Sequence, residues 1–144
     1  MDQKQEEQGF SRRTALCALS LIGAGIFTSP ESAVAATGVK ILPNGKVQVT
    51  LKSNPALKKV GGVVRIDDVK GKSIALVRTS AKAYTAVNLL CTHLGGQLIQ
   101  SGNQWQCSEH GATFTLAGKN LVGPATTALK QLPVKATASV VTIG

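Results

Sequence analysis

The sequence predicts an all-β domain, on three observations. Apolar and polar residues alternate with period two in several short runs, turn-forming residues separate those runs at short intervals, and one segment alone reads as a turn of helix. Val47, Val49 and Leu51 alternate with Lys46, Gln48, Thr50 and Lys52, which puts the apolar set on one face of a strand. Pro43-Asn44-Gly45 stands between this run and Ile41-Leu42, a hairpin signal because Asn and Gly accept positive φ. A second hairpin is expected from Val63 to Ile66, a turn over Asp67 to Lys72, and Ser73 to Arg78. Tyr84 to Leu89, Gln97 to Gln100, Gln104 to Gln106 and Ser139 to Ile143 read as further strands, and Ala117 to Asn120 as another turn. Pro55 to Lys59 is the one short helical turn. Many short strands with Gly and Asn turns make small antiparallel sheets in a barrel or sandwich.

The chain of 144 residues is long enough for one domain. At 43% hydrophobic and 16% charged residues its composition excludes a disordered or collagen-like chain. No run of 18 apolar residues occurs, so a standard membrane-spanning helix is not expected. The first segment reads as an address. Residues 1–13 are polar and end in Ser11-Arg12-Arg13; Ala15 to Phe27 is uncharged and mostly apolar; Pro30 and then Ala33-Val34-Ala35-Ala36 follow. A charged start, a short apolar middle and a small-residue exit make a removable export signal. Ser-Arg-Arg with Leu16 fits the twin-arginine pattern, with Ala15 where Phe is common. Thirteen apolar residues at about 1.5 Å each reach roughly 20 Å, short of a hydrocarbon core of about 30 Å, which favours removal over retention as an anchor. Leu16 before Cys17 is too large for a lipid-attachment site. The expected division is an export signal over 1–35 and a domain over 36–144, placed outside the cytoplasmic membrane and membrane-associated where the leader is kept. The twin-arginine route carries folded, often cofactor-loaded proteins, which points to a metal site downstream.

Residues 36–144 carry 11 Lys and 2 Arg against 2 Asp and 1 Glu, a net charge of +10. The lysines are scattered, Arg is scarce and the aromatics needed for base stacking are few, which argues against nucleic-acid binding. The charge suits a solvated surface or steering toward an acidic redox partner.

The chemistry concentrates in Cys91-Thr92-His93-Leu94-Gly95-Gly96 and, with 13 residues intervening after His93, in Cys107-Ser108-Glu109-His110-Gly111. Both histidines of the chain and both cysteines beyond the leader lie in this C-x-H, C-x-x-H pair. Each pair occupies a Gly-bearing loop after an expected strand, and two such loops at one end of a β-structure can converge on one centre. Three readings use these residues. A zinc site takes the same donors, although C-x-H is not its usual spacing. A Cys91–Cys107 disulfide suits an exported protein but leaves the histidines without a role. An iron–sulfur cluster uses all four.

Over roughly residues 60–143 the sequence resembles a Rieske iron–sulfur domain. The resemblance rests on Gly61-Gly62, Leu76-Val77-Arg78, both ligand loops, and Gly123-Pro124-Ala125, which is similar to the family's proline loop over the cluster. It implies the Rieske fold, with one [2Fe–2S] cluster at the tips of two loops. It further implies that Cys91 and Cys107 bind the inner iron while His93 and His110 bind the outer one. Two thiolates and two neutral imidazoles leave the oxidised cluster uncharged, which raises its potential above that of four-thiolate clusters and couples reduction to imidazole protonation. This chain departs from quinol-oxidising members of the bc type. Gly96 and Glu109 stand where those carry two further cysteines, and Ala112 and Phe114 stand where those carry Ser and Tyr that hydrogen-bond sulfur. The departures imply a potential in the lower or middle part of a range of about −150 to +300 mV.

Such a cluster has no open coordination position, and no further histidine remains for a mononuclear iron. One-electron transfer is therefore the expected function, with no independent catalytic site; whether the chain counts as an enzyme depends on its partners. The leading expectation is an exported carrier, or the small subunit of a larger oxidoreductase of the arsenite-oxidase type, facing an acidic partner such as a cytochrome. The alternative is the iron–sulfur subunit of a quinol–cytochrome c oxidoreductase of the bc type, in which His93 or His110 takes the quinol's proton. A zinc- or disulfide-stabilised domain without a redox role is the third.

Overall fold

The computed structural model describes residues 33–144, which form thirteen short strands and two 3₁₀ turns. The strands are β1 (Val34–Ala35), β2 (Val39–Ile41), β3 (Val47–Thr50), β4 (Val63–Val69), β5 (Lys72–Arg78), β6 (Tyr84–Asn88), β7 (Leu98–Ser101), β8 (Gln104–Cys107), β9 (Thr113–Thr115), β10 (Asn120–Val122), β11 (Gln131–Leu132), β12 (Val134–Ala136) and β13 (Val140–Ile143). The 3₁₀ turns are Leu51–Ser53 and Pro55–Lys58, the second falling on the expected helical turn. Three sheets result, ordered β1-β4-β5-β6-β11, β10-β9-β8-β7 and β12-β13-β3-β2. Every strand pairing is antiparallel except β1 with β4. The all-β expectation therefore holds.

The central sheet is covered on both faces. Along β5, Ala75 and Val77 enter one core with Val87, Leu89, Leu98, Trp105 and Phe114. Ile74 and Leu76 enter a second core with Val47, Val49, Ala86, Val141 and Ile143. A strand buried on both faces is apolar throughout rather than alternating, and Ile74 to Val77 is such a run. The structure has two cores, split by the pleat of β4, β5 and β6. The first contains Cys91 and Cys107, so the candidate site grows out of packed hydrophobic residues.

Several elements differ from expectation. The second hairpin turn is Lys70-Gly71 alone, because β4 continues through an irregularity at Asp67-Asp68 and pairs again at Val69 with Lys72. Leu51 leaves its strand for a 3₁₀ turn. Strands β9 to β12 are too short to show a period, and they supply sheet edges. Of the expected leader, residues 1–32 lie outside the described residues. Its last three residues, Ala33 to Ala35, reach the central sheet: Val34 and Ala35 pair with Val64 and Arg65, and the Ala36 N–H donates to the Arg65 carbonyl at 2.8 Å. Among the described residues no helix is long and apolar enough to cross a membrane.

Candidate metal centre

The two Cys-His loops are the same turn built twice. In the first, the Cys91 N–H donates to the Gly96 carbonyl at 2.7 Å and the Gly95 N–H returns to the Cys91 carbonyl at 2.8 Å. In the second, the Cys107 N–H donates to the Ala112 carbonyl at 2.8 Å and the Gly111 N–H returns to the Cys107 carbonyl at 3.1 Å. Gly95 (φ 76°) and Gly111 (φ 72°) take the left-handed conformation that closes each turn, where a side chain is disfavoured. Each loop is thus a cysteine followed four residues later by a left-handed glycine, with the histidine carried between them. The Leu90–Gln97 bridge and the β7–β8 hairpin hold the loops side by side.

This geometry divides the four side chains by depth. Cys91 and Cys107 are buried, 3% and 1% exposed, and neither forms a disulfide. Burial pushes the Cys91 thiol up, and its neighbour Cys107 adds to this; the backbone N–H groups of His93 and Leu94, directed at the sulfur, oppose it. His93 and His110 are exposed, and their rings meet edge to face with centroids 4.9 Å apart. The Glu109 carboxylate lies 4.0 Å from His110 Nδ1.

The donors therefore come as one thiol pair and one imidazole pair. Among the described residues no three His, Cys, Asp or Glu side chains converge on a single ion. A tetrahedral zinc site needs four donors on one point, whereas each iron of a [2Fe–2S] cluster with Cys₂His₂ ligation needs only two from the protein. The donor set fits the binuclear group.

The surroundings hold features the sequence did not reveal. Thr92 Oγ1 donates to the Thr127 carbonyl at 2.7 Å, tying the first loop to the segment after Pro124. Asn120 Nδ2 donates to the Ala125 carbonyl at 2.9 Å on the same segment, and Ala125 is buried in the core that contains the cysteines. Partners 35 residues apart leave no local spacing to read. A Cβ placed on Gly96 would stand 3.0 Å from both Cys107 Sγ and Glu109 Cδ. Gly96 and Glu109, the two positions read as lacking a loop disulfide, thus face one another. Ala112 and Phe114 are fully buried beside the cysteines.

Comparison with known proteins agrees with this geometry. The family model of the Rieske [2Fe-2S] domain matches residues 48–133, a span that includes both loops. The chain belongs to the Rieske [2Fe-2S] domain family. As a Rieske domain it carries one [2Fe–2S] cluster and serves one-electron transfer. It is 35% identical over 80 residues to the cytochrome b6-f complex iron-sulfur subunit of Chlorobaculum thiosulfatiphilum, across 50% of this chain and 44% of that protein. The Rieske chain therefore spans less than half the length of that relative. Among solved structures it is similar to the cyanobacterial plasma membrane Rieske protein PetC3 from Synechocystis PCC 6803. That match has a TM-score of 0.51 and 28% identity, over 60% of this chain and 90% of that one. The quaternary ammonium Rieske monooxygenase CntA shares the fold at 21% identity, with a TM-score of 0.53 over 63% of this chain and 30% of its own. Strands β2, β12 and β13 lie outside the matched residues and form most of the third sheet.

Proposed function

We propose that this Rieske chain passes single electrons outside the cytoplasm, as an exported carrier or as the small subunit of a larger oxidoreductase. In this reading Cys91 and Cys107 hold one iron and His93 and His110 the other. The observation that carries it is the division of the donors by depth, two thiols buried and two imidazoles at the surface. The cluster, when bound, supplies a centre that takes up or releases one electron. The surrounding core shields the two cysteines from water, and the His93 and Leu94 N–H groups stabilise negative charge on Cys91 sulfur against its burial. The exposed imidazoles are the part of the site that a docking partner meets first. The surplus of lysines steers the encounter toward an acidic surface, so the electron-transfer rate falls with added salt.

A second reading is favoured by the identity to the cytochrome b6-f complex iron-sulfur subunit. It makes this chain the corresponding subunit of a quinol-oxidising complex, with His93 or His110 accepting the quinol's proton. Residues 1–35 are read as a twin-arginine export signal, and their fate separates the two readings. N-terminal sequencing of protein recovered from cells gives Ala36 for a cleaved carrier and a start ahead of Ala33 for an anchored subunit.

The ligand assignment is tested by iron content, visible absorption and EPR of single variants. Cys91→Ala and Cys107→Ala are expected to abolish the cluster, and His93→Ala and His110→Ala to abolish its Rieske-type EPR signal. An unchanged signal in any of the four removes that residue from the ligand set. A redox titration of the intact protein then discriminates the partners: a low to middle midpoint supports the carrier, and a midpoint near the top of the Rieske range supports the quinol-oxidising subunit.

A further inference from the structure

We propose that the folded domain shields its own processing bond, so that the export leader is removed only from chains in which β1 has detached from the central sheet. The proposal rests on the reading of residues 1–35 as an export signal, whose small-residue exit places the cleaved bond between Ala35 and Ala36. A peptidase at that bond adds water across the amide, leaving a carboxyl on Ala35 and an amine on Ala36. It must take up Ala33 and Ala35 by their small side chains and hold the surrounding backbone extended and unpaired.

In the folded chain those same atoms are engaged. Val34 and Ala35 pair in parallel with Val64 and Arg65, along the edge of β4 that faces away from β5. The N–H of the processing bond itself, on Ala36, donates to the Arg65 carbonyl at 2.8 Å. Ala33 packs against the core that contains the cysteines, and Ala36 against the second core. Beyond the bond, the buried side chain of Asn54 serves Thr37 as a strand partner would. The Thr37 N–H donates to Asn54 Oδ1 at 2.9 Å, and Asn54 Nδ2 donates to the Thr37 carbonyl at 2.7 Å. The Thr37 hydroxyl adds a bond to the Ser53 carbonyl at 2.8 Å. The bond therefore lies between two fixed points, the β1 pairing and the Thr37–Asn54 pair, and a peptidase cannot draw it out while both hold. Cleavage then follows the fraction of time that the segment is open. The twin-arginine route gives this weight, because it delivers the domain to the peptidase already folded.

The test compares the cluster-loaded full chain with a peptide of residues 11–45, which carries the bond without β4 or Asn54. Both are incubated with a purified signal peptidase in detergent micelles, and the products are read by mass spectrometry. The peptide is expected to be cut between Ala35 and Ala36, and the folded chain at least about 100-fold more slowly. Hydrogen exchange of the full chain is expected to show the Ala36 amide protected. Asn54→Ala is expected to speed cutting of the full chain about tenfold, with visible absorbance and melting to show that it stays folded. Val34 is exposed, so Val34→Gly weakens the edge strand and leaves the cores intact. It is expected to speed cutting of the full chain about threefold while the matching peptide is cut at the wild-type rate. Equal cutting of folded chain and peptide, or a rapidly exchanging Ala36 amide, overturns the gate while leaving the leader reading in place. A peptide that is not cut at Ala35–Ala36 overturns the leader reading and the proposal with it. Unchanged cutting in the variants that stay folded shows that this strand does not protect the bond, and overturns the proposal as well.

Discussion

Arg65 Nη1 donates to the main-chain carbonyl of Leu98 at 3.0 Å, joining the central sheet to the sheet that carries the second Cys-His loop. The same guanidinium reaches Gln97 Oε1 at 3.1 Å and Asp67 Oδ1 at 2.8 Å. Leu98 is fully buried, and β7 begins two residues after the first loop ends at Gly96. Arg65 therefore fixes the base on which that loop stands. Arg65→Met leaves the Leu98 carbonyl without this donor, at an expected cost of about 1–3 kcal/mol. Urea denaturation of the variant should show that loss, together with faster bleaching of the cluster absorbance. Wild-type stability and bleaching rate in Arg65→Met refute the role of this link.

Asp67 gives the domain a defined acid sensitivity. The Ser73 hydroxyl, donating to Asp67 Oδ1 at 2.6 Å, holds the carboxyl below its usual range, and Arg65 adds to this by hydrogen bond and charge against a small opposing effect of burial. A carboxylate whose folded pKa is depressed contributes stability above its unfolded value of about 3.9, and that contribution is lost as pH falls through the folded pKa. Stability should therefore drop below about pH 4, and Ser73→Ala should flatten the drop by lowering stability at neutral pH. Urea midpoints at pH 7 and pH 3 measure it; parallel curves for wild type and variant remove Asp67 from the account.

The two Cys-His turns were legible in the sequence because they combine rare residue types at fixed spacing with left-handed glycines, and no tertiary contact is needed to read them. The hairpin at Pro43-Asn44-Gly45 was legible for the same local reason, and β2 pairs with β3 as read. Asp67-Asp68 reads as the start of a turn, and Asp68 does adopt φ 59°. There the conformation makes an irregularity inside β4, because pairing of Val69 with Lys72 beyond it restores the ladder. Strands β9 to β12 span two or three residues each, too few for a period, and long-range pairing alone defines them. Ala33-Val34-Ala35 shows the opposite limit. Small residues suit a signal exit, and the same residues lie flat enough to add a strand to β4.

Gly96 and the Glu109 side chain meet across the two loops. A Cβ on Gly96 would contact Glu109 Cδ at 3.0 Å. The double variant Gly96→Cys, Glu109→Cys should form a disulfide on oxidation and tie the two loops together. For a loop of this length the chain-entropy model gives roughly 3 kcal/mol of stabilisation. Thiol counting under denaturing conditions and melting curves of the oxidised and reduced forms test it. Two free thiols at these positions after oxidation, or identical melting of the two forms, contradict the predicted approach of the loops.

Ala112 and Phe114 are expected to tune the potential by what they lack. Both are fully buried in the core that contains Cys91 and Cys107, and the Ala112 carbonyl accepts the Cys107 N–H at 2.8 Å. A hydroxyl donor introduced next to sulfur stabilises the reduced, more negative state over the oxidised one. Ala112→Ser and Phe114→Tyr should each raise the midpoint, by about 40 mV for every 1 kcal/mol of preferential hydrogen bonding. The two shifts should add only where both hydroxyls reach sulfur, since a buried hydroxyl without a partner lowers stability instead. Equilibrium redox titration of the single and double variants, with thermal melting alongside, separates these outcomes. A raised midpoint with unchanged melting means that the hydroxyl has found the cluster sulfur. An unchanged midpoint with lowered melting shows that Ala112 and Phe114 serve packing alone, and that the hydrogen-bond account of this chain's potential is wrong.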